Sequence, residues 1–464
     1  MPLRCPKDFH MATSLAAVGS GLDIPTIVSQ LVAAERKPSA DRINRQGTDA
    51  TAKFSALSSI KSSLSSLQSA LEAVGKSADA PAYTAKVPDK SGFSATIVAD
   101  AASGKTEATA GTYNVEVLSL AQTQKLSSGA FEATAPVGSG VLNIAWGGES
   151  LDVAIDDGST LSSIATAINK AAGGKGVNAT IITANDGQHL VLNAVDAGTE
   201  GALTLTASGG DGGLSALTWD GTAGGLSQTV AASNARVRVD GFERESSSNS
   251  ISDLIPGVTL ALDAAEEGSV KTLTISQDNT PLKIDIQGFV SAYNASVNLL
   301  KKSSAYDAEK DQASVLTGDA MVRGLQQQLR NQLSANVIDL KDLGLAINKD
   351  GTLAFDTASF DKAIASNPEA ANALLGKDGK LATSMSTLLK SNLDSTGSLT
   401  QRTDSVNKQI KQLEKDLDEL DLRMEKVSAR YTAQFTAMDS LVAQMQGTSN
   451  YLSQQLSALS NASK

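Results

Sequence analysis

Between residues 406 and 445 two positions of a seven-residue repeat are apolar almost without interruption. One holds Val406, Leu413, Leu420, Val427, Gln434 and Leu441, and the other Ile410, Leu417, Met424, Tyr431, Met438 and Met445. About six heptads of such a seam dictate a helix that packs lengthwise on other helices. The remaining faces alternate in charge, as in "KQLEKDLDEL", the pattern of a solvated surface laced with weak ion pairs. Each Leu or Ile removed from water contributes about 1.5–3 kcal/mol, so an uncovered seam of this length is strongly driven to find a partner. Either the N-terminal helices supply that partner or neighbouring subunits do. Gly447 is predicted to interrupt the run, with Tyr451, Leu452, Leu456 and Leu459 beginning a last apolar helix.

The opposite end of the chain has matching character. In "GSGLDIPTIV", Asp23 is placed to cap a helix and Pro25 is tolerated in its first turn. Ile24, Ile27, Val28, Leu31 and Val32 then share one face, until Lys37-Pro38 is predicted to stop the helix. The Gly19-x-Gly21 pair is not a phosphate loop, because Ile24 stands where a third glycine is required and "MATSLAAV" is a poor preceding strand. A second helix carries Leu57, Ile60, Leu64, Leu67, Leu71 and Val74 at alternating spacings of three and four, a narrow seam suited to a bundle. Small residues dominate 12–45 and 447–464, so these segments are predicted to be disordered in the free monomer and to become helical on assembly.

The middle changes period from helix to strand. "YNVEVL" alternates Tyr113, Val115 and Val117 with polar neighbours, and "ARVRVDGFERE" places Asp240-Gly241 between two short runs, which predicts a type I′ hairpin. Further strands are predicted at 141–146, 151–155, 178–183, 189–194, 202–206, 258–262 and 270–276, with one helix, "TLSSIATAINKAA", among them. "SGGDGGLSALTWDGTAGGLSQ" reads as a long loop or inter-domain junction. After about residue 281 helices return, Ile284, Phe289, Val290, Tyr293, Val297 and Leu300 falling on one face.

Several function classes fall away. A net charge of -11 without a basic stripe argues against nucleic acid, and no apolar run approaches the length of a membrane span. Cys5, His10 and His189 are the whole stock of cysteine and histidine, too few for a disulfide framework or a zinc site. Cys5 and His10 precede Met11, whose sequel reads as an ordinary start, so residues 1–11 are set apart as a leader. A cleavable export signal is disfavoured, because two glycines and Asp23 break its would-be apolar stretch. His189 lies in a predicted strand as a surface or edge residue, and Asp156-Asp157-Gly158 reads as a solvated turn. "INKDGTL" fails as a calcium loop because Ala346 occupies the first ligand position, leaving Asn348–Gly351 as a hairpin turn. No catalytic set, cofactor or metal site is expected.

The expected fold is α+β and multidomain: terminal helices form a coiled-coil or bundle leg, and β-rich domains are inserted between them. The boundaries read as leg helices at 12–45 with 435–464, a helical leg domain at 46–85 with 279–434, a β-rich head at 86–128 with 230–278, and an inserted β-rich domain at 129–229. Four motifs in order, "GSGLDIPTIVSQLVAAERKP", "GTYNVEVLSLAQTQKL", "VDGFERESSSNSISDLIPGVTLAL" and "YTAQFTAMDSLVAQMQGTSNYLSQQL", resemble the bacterial flagellar filament-capping family, the FliD or type 2 hook-associated proteins. Residues 138–206 are similar to the small insertion module shared by flagellins and hook-associated proteins.

The resemblance implies a non-enzymatic protein exported unfolded through the flagellar type III apparatus with the help of an export chaperone. It implies a ring of identical subunits, commonly a pentamer although other ring sizes occur, at the distal tip of the filament. There the cap retains flagellin, promotes its folding and insertion, and neighbours other hook-associated proteins; some members also adhere to host mucin. Under this reading Ile24, Ile27, Val28 and Leu31 with Tyr451, Leu452, Leu456 and Leu459 are the expected assembly contacts, and Val406 to Tyr431 the coiled-coil seam. The alternative is a secreted adhesin whose β-domains bind glycans near Trp146 and Trp219.

Overall fold

The computed structural model describes residues 23–307 and 312–462, so the leader and the Gly19-x-Gly21 motif lie outside the described residues. The chain forms two compact units, Lys76–Ile284 and the flanking segments up to Gly75 and from Asp285 onward.

Helix α1 (Ile24–Asp79) is 56 residues long. Its start follows the expected chemistry: Thr26 donates to the Asp23 carboxylate from its backbone N at 3.3 Å and from Oγ1 at 2.6 Å. These bonds hold the Asp23 carboxyl below the usual carboxylate range. Pro38, expected to end the helix, lies inside it, and the two predicted helices are one. An interior proline costs about 3 kcal/mol through its lost donor and its ring clash. The burial beyond it offsets that cost, because Ala40, Ile43 and Ala50 lead without a break into Leu57, Ile60, Leu64, Leu67, Leu71 and Val74. Residues 24–45, expected to order only on assembly, are thus helical within the single chain.

The middle unit is built from β1 (Ala82–Lys86), β2 (Phe93–Ile97), β3 (Gly111–Ser119), β4 (Lys125–Ser127), β5 (Gly140–Trp146), β6 (Glu149–Ile155), α2 (Leu161–Ala172), β7 (Val177–Ala184), β8 (Gly187–Ala194), β9 (Thr204–Ser208), β10 (Ser227–Val230), β11 (Ala235–Val239), β12 (Phe242–Ser246), β13 (Ser250–Ile255), β14 (Val258–Leu262) and β15 (Lys271–Asp278). It contains two cores. In the first, the sheets β1-β15-β3-β11-β12 and β13-β14-β2 bury Val115, Val117, Val237, Leu260 and Leu273 together. In the second, the sheets β10-β4-β8-β7 and β6-β5-β9 enclose Leu142, Ile164, Ile168, Leu192 and Leu205 with α2. The strands pair antiparallel, and the β11–β12 turn has positive φ at both Asp240 (46°) and Gly241 (90°), as a type I′ hairpin requires.

Two expectations for this unit are corrected. Residues 208–228 form a long loop with one short 3-10 turn at Gly213–Leu217 but are not an inter-domain junction: Leu214, Leu217, Trp219 and Leu226 are all buried in the second core. Glycines at positive φ, such as Gly212 and Gly224, let the chain turn tightly enough to deliver these four side chains. His189 is not on an edge either, because β8 lies between β4 and β7.

The chain returns as α3 (Thr280–Ser304), β16 (Tyr306–Asp307), β17 (Gln312–Ala313), α4 (Ala320–Ser334), α5 (Val337–Asp342), β18 (Leu345–Ile347), β19 (Leu353–Phe355), α6 (Thr357–Ser366), α7 (Ala370–Leu375), α8 (Lys380–Leu393) and α9 (Ser398–Ala462). On α3 the apolar face runs through Ile286, Phe289, Tyr293, Val297 and Leu300, while Ile284, placed on that face by the sequence, is exposed. Residue 284 falls two positions from Ile286, about 200° around the helix. The Tyr293 hydroxyl donates to the Gly351 carbonyl in the β18–β19 turn, and burial pushes its phenol up to about 12. Gly447 does not interrupt α9, where it costs only about 1 kcal/mol against alanine.

Candidate functional site

The candidate site is the pair formed by α1 and α9; among the described residues no group of His, Cys, Asp and Glu could hold a metal ion. Two polar contacts set their register. Arg36 donates from Nε and Nη2 to Asp421 Oδ1, each at 2.8 Å, and the Tyr431 hydroxyl donates to Glu35 Oε2 at 3.0 Å. Further along, Ile43, Asn44 and Gly47 of α1 meet Ile410, Leu413, Glu414 and Leu417 of α9 around a small gap. Residue numbers rise on one helix as they fall on the other, so the pair is antiparallel. Arg36 and Asp421 are both partly solvated, which makes their bond worth about 0–1 kcal/mol; it specifies register more than it stabilises.

This register divides the heptad seam into two parts. Val406, Leu413, Leu420, Met424 and Val427 are buried, and Ile410, Leu417 and Tyr431 are half-buried. Beyond Tyr431 the same repeat is exposed, at 45% for Met438, 57% for Leu441 and 64% for Met445. At 1.5 Å per residue on both helices, Ile24 at the start of α1 stands opposite about residue 435 of α9. The residues of α9 from about 436 to its end at Ala462 therefore run roughly 40 Å past the first described turn of α1.

The expected contact residues separate in the same way. Val28 is buried, Ile24 and Ile27 are half-buried, and Leu31 is exposed. Tyr451, Leu452 and Leu456 are each more than half exposed. Leu459 lies in α9, but its side chain is outside the described residues. Met438, Leu441 and Met445, read from the sequence as bundle seam, belong instead with the exposed set. On α1 the small and apolar residues Ala40, Ile43, Gly47 and Ala50 continue the seam across Pro38, a continuity legible in the heptad frame. On the far side, α9 begins at Ser398, opposite about residue 60 of α1. The later α1 seam therefore has other neighbours, among them α3, whose Ser296 Oγ lies 2.9 Å from Ser63 Oγ.

Long terminal helices around inserted β-bodies are an arrangement that comparison with known proteins can test. Family models match on both sides of the insertion: flagellar hook-associated protein 2 N-terminus at residues 20–124 and C-terminus at 232–447. The chain belongs to the flagellar hook-associated protein 2 family. Between the two, the flagellin hook IN motif matches residues 141–209, which include β5 through β9. The flagellar hook-associated protein 2 of Escherichia coli K12 is 34% identical over 97% of this chain and 99% of its own length. The A-type flagellar hook-associated protein 2 of Pseudomonas aeruginosa is 31% identical over 97% and 98%. Among solved structures, the crystal structure of the flagellar cap protein FliD D1-D2-D3 domains from Escherichia coli aligns at a TM-score of 0.61 and 31% identity, covering 76% of this chain and 99% of that one.

Membership of the hook-associated protein 2 family identifies the chain as a structural flagellar component and not an enzyme. The α1–α9 pair is consistent with a mechanical part: it offers apolar side chains on a long, solvated helix. Among the described residues no helix is long and apolar enough to cross a membrane.

Proposed function

We propose that this protein caps the growing flagellar filament at its distal end, where it retains exported flagellin and promotes its folding and polymerisation. The observation that carries the reading is similarity over nearly the whole chain to hook-associated protein 2 of Escherichia coli and Pseudomonas aeruginosa, with the Escherichia coli cap-protein domains as a structural counterpart. In this reading the protein is secreted through the flagellar export apparatus, held unfolded by a chaperone, and assembles with its own copies into a ring of five. It sits on the filament beside the other hook-associated proteins, and its legs are the paired terminal helices, the exposed apolar residues from Met438 to Leu456 meeting flagellin. Methionine suits such a contact, because its flexible, polarisable side chain repacks against changing neighbours.

Deleting residues 447–464 tests the leg assignment. The truncated protein is expected to stay folded and soluble, to fail in restoring filaments to a cap-deficient strain, and to leave monomeric flagellin in the medium. Filament growth with the truncated protein overturns the assignment, and light-scattering mass of the full chain tests the ring of five. The adhesin alternative finds no support in the tryptophans: Trp219 is buried in the second core, and Trp146 packs over Gly176.

A further inference from the structure

His189 stands at an irregular place in the inserted body. Strand β4 pairs with β8 up to Ser127 opposite Val191, and Ser128 and Leu190 continue the ladder through a 2.9 Å bond from the Ser128 amide to the Leu190 carbonyl. The chain then resumes at Phe131, which exchanges backbone bonds with Gln188 at 2.9 and 2.8 Å. Gly129 and Ala130 bulge out between these two points, opposite His189. The approach is close: Gly187 has a φ of +142°, and a Cβ there would lie 2.9 Å from the Phe131 carbonyl oxygen.

The imidazole closes this gap with both nitrogens. Nδ1 is 2.9 Å from the Ser128 carbonyl oxygen, and Nε2 is 3.1 Å from Asp186 Oδ1 in the β7–β8 turn. A carbonyl only accepts, and so does an ionised carboxylate, so both ring nitrogens must donate for both bonds to form. Only the imidazolium does this. Asp186 is the charged group acting on the ring. The flanking β7 residue is Ile182; Lys125 of β4 stands opposite Asn193, further along β8, and Glu132 lies beyond Phe131.

We infer that His189 is a proton-controlled clasp, which in its charged form ties the Ser128–Phe131 bulge and the Asn185–Gly187 turn to the same strand. When the proton leaves, Nδ1–H stays on the Ser128 carbonyl, and the Nε2 lone pair faces the Asp186 carboxylate. The turn is released while the bulge keeps its bond. The hydrogen bond to Ser128, then that to Asp186, raises the His189 pKa above its ordinary 6.5, and the bond from His189 lowers that of Asp186. The clasp therefore contributes fully below about pH 6.5 and fades as pH rises through the native His189 value. Its lower limit is the lowered Asp186 value, below the ordinary 3.8.

The test uses the full chain with labelled histidine rings, titrated by NMR between about pH 5 and 8.5 and assigned with His189→Gln. His189 is expected to titrate above 6.5, and Asp186→Asn, on the surface, to bring it down. Hydrogen exchange, corrected for intrinsic rates, reads the release: protection at Asp186 and Gly187 should fall with rising pH. The fall is about tenfold for each unit by which the native value exceeds 6.5, and it should be absent in His189→Gln. A native value at or below 6.5, or the same pH response in the glutamine variant, overturns the clasp. If His189→Gln fails to fold, Asp186→Asn carries the test alone, because an unchanged titration there also overturns it.

Discussion

Three asparagines use their side-chain amides as a short piece of strand. Asn169 of α2 donates to the Ala179 carbonyl at 2.7 Å and accepts from its amide at 2.8 Å; Asn249 does the same for Ala121 and Asn294 for Leu353. Ala179 is buried on β7, an edge strand, and without Asn169 both its backbone groups would be left facing a helix with no partner. An unmade buried bond costs about 1–3 kcal/mol, so Asn169→Ala is expected to destabilise the inserted body by that order. Urea unfolding measures the loss, and exchange of the Ala179 amide should accelerate. None of this is legible in "INKAAGG", because the partner lies across a turn and only the fold brings it near. Helix caps are legible, since cap and target are neighbours in sequence. Asp356 accepts from Ala358 and Ser359, as its place before "TASF" implies. These bonds, that from the Ser359 hydroxyl first, hold its carboxyl below 3.8. The α6 cap should therefore be intact above pH 3.8 and fail as pH falls through the lowered value, a response that Asp356→Asn should abolish in an acid titration followed by circular dichroism.

At the scale of the element, periodicity identified both seams but not their extent. Val406, Leu413, Leu420, Met424 and Val427 are buried with Ile410 and Leu417 half-buried, and Leu57, Ile60, Leu64, Leu67, Leu71 and Val74 are buried. Pro38 misled because its local cost, about 3 kcal/mol, is smaller than what α1 gains along its packed length, and Gly447 because a cost of about 1 kcal/mol is too small to break a helix. The position at which burial stops on α9 was hidden for a different reason: it depends on where a second helix begins, a property of the pair. Two substitutions on one repeat separate these roles. Leu413→Ala removes a buried side chain and should cost about 2–5 kcal/mol in urea unfolding. Leu441→Ala, at a position already 57% exposed, should leave stability within about 0.5 kcal/mol, yet under the cap reading it should shorten filaments in a complementation assay. If both variants lose stability alike, the distal seam is packed and the division at Tyr431 fails.

At the scale of the molecule, the sequence's change of period, helix to strand and back, marks a β-rich insertion between helical segments of the chain, and the predicted strands fall near observed ones, while β1, β2, β4, β10 and β13 were not predicted. What the sequence did not display is how the second β-body is attached to the first. Two antiparallel segments carry it: Gln122 and Ser233 exchange backbone bonds at 2.9 and 3.3 Å, just outside β4 and β10. Side chains add Asn234, whose Oδ1 accepts from the Thr199 amide at 2.7 Å, and Gln124, whose Oε1 accepts from Leu203 at 2.7 Å. The buried hydrophobic residues sort to one core or the other, and of the insert Ala197 packs against the first core, so the attachment is largely polar and the first core owes the second little burial. Joining Gln122 to Ser233 through an Asn-Gly turn should therefore excise residues 123–232 and leave the first body folded. The two ends already pair antiparallel, and a two-residue type I′ turn spans such a pair. Asn249 and Ala121 remain to hold the joint. The excised chain should keep dispersed amide signals for Val117, Val237 and Leu260 and unfold cooperatively. Collapse of those signals would mean that the first body depends on the insert, despite the separation of their cores.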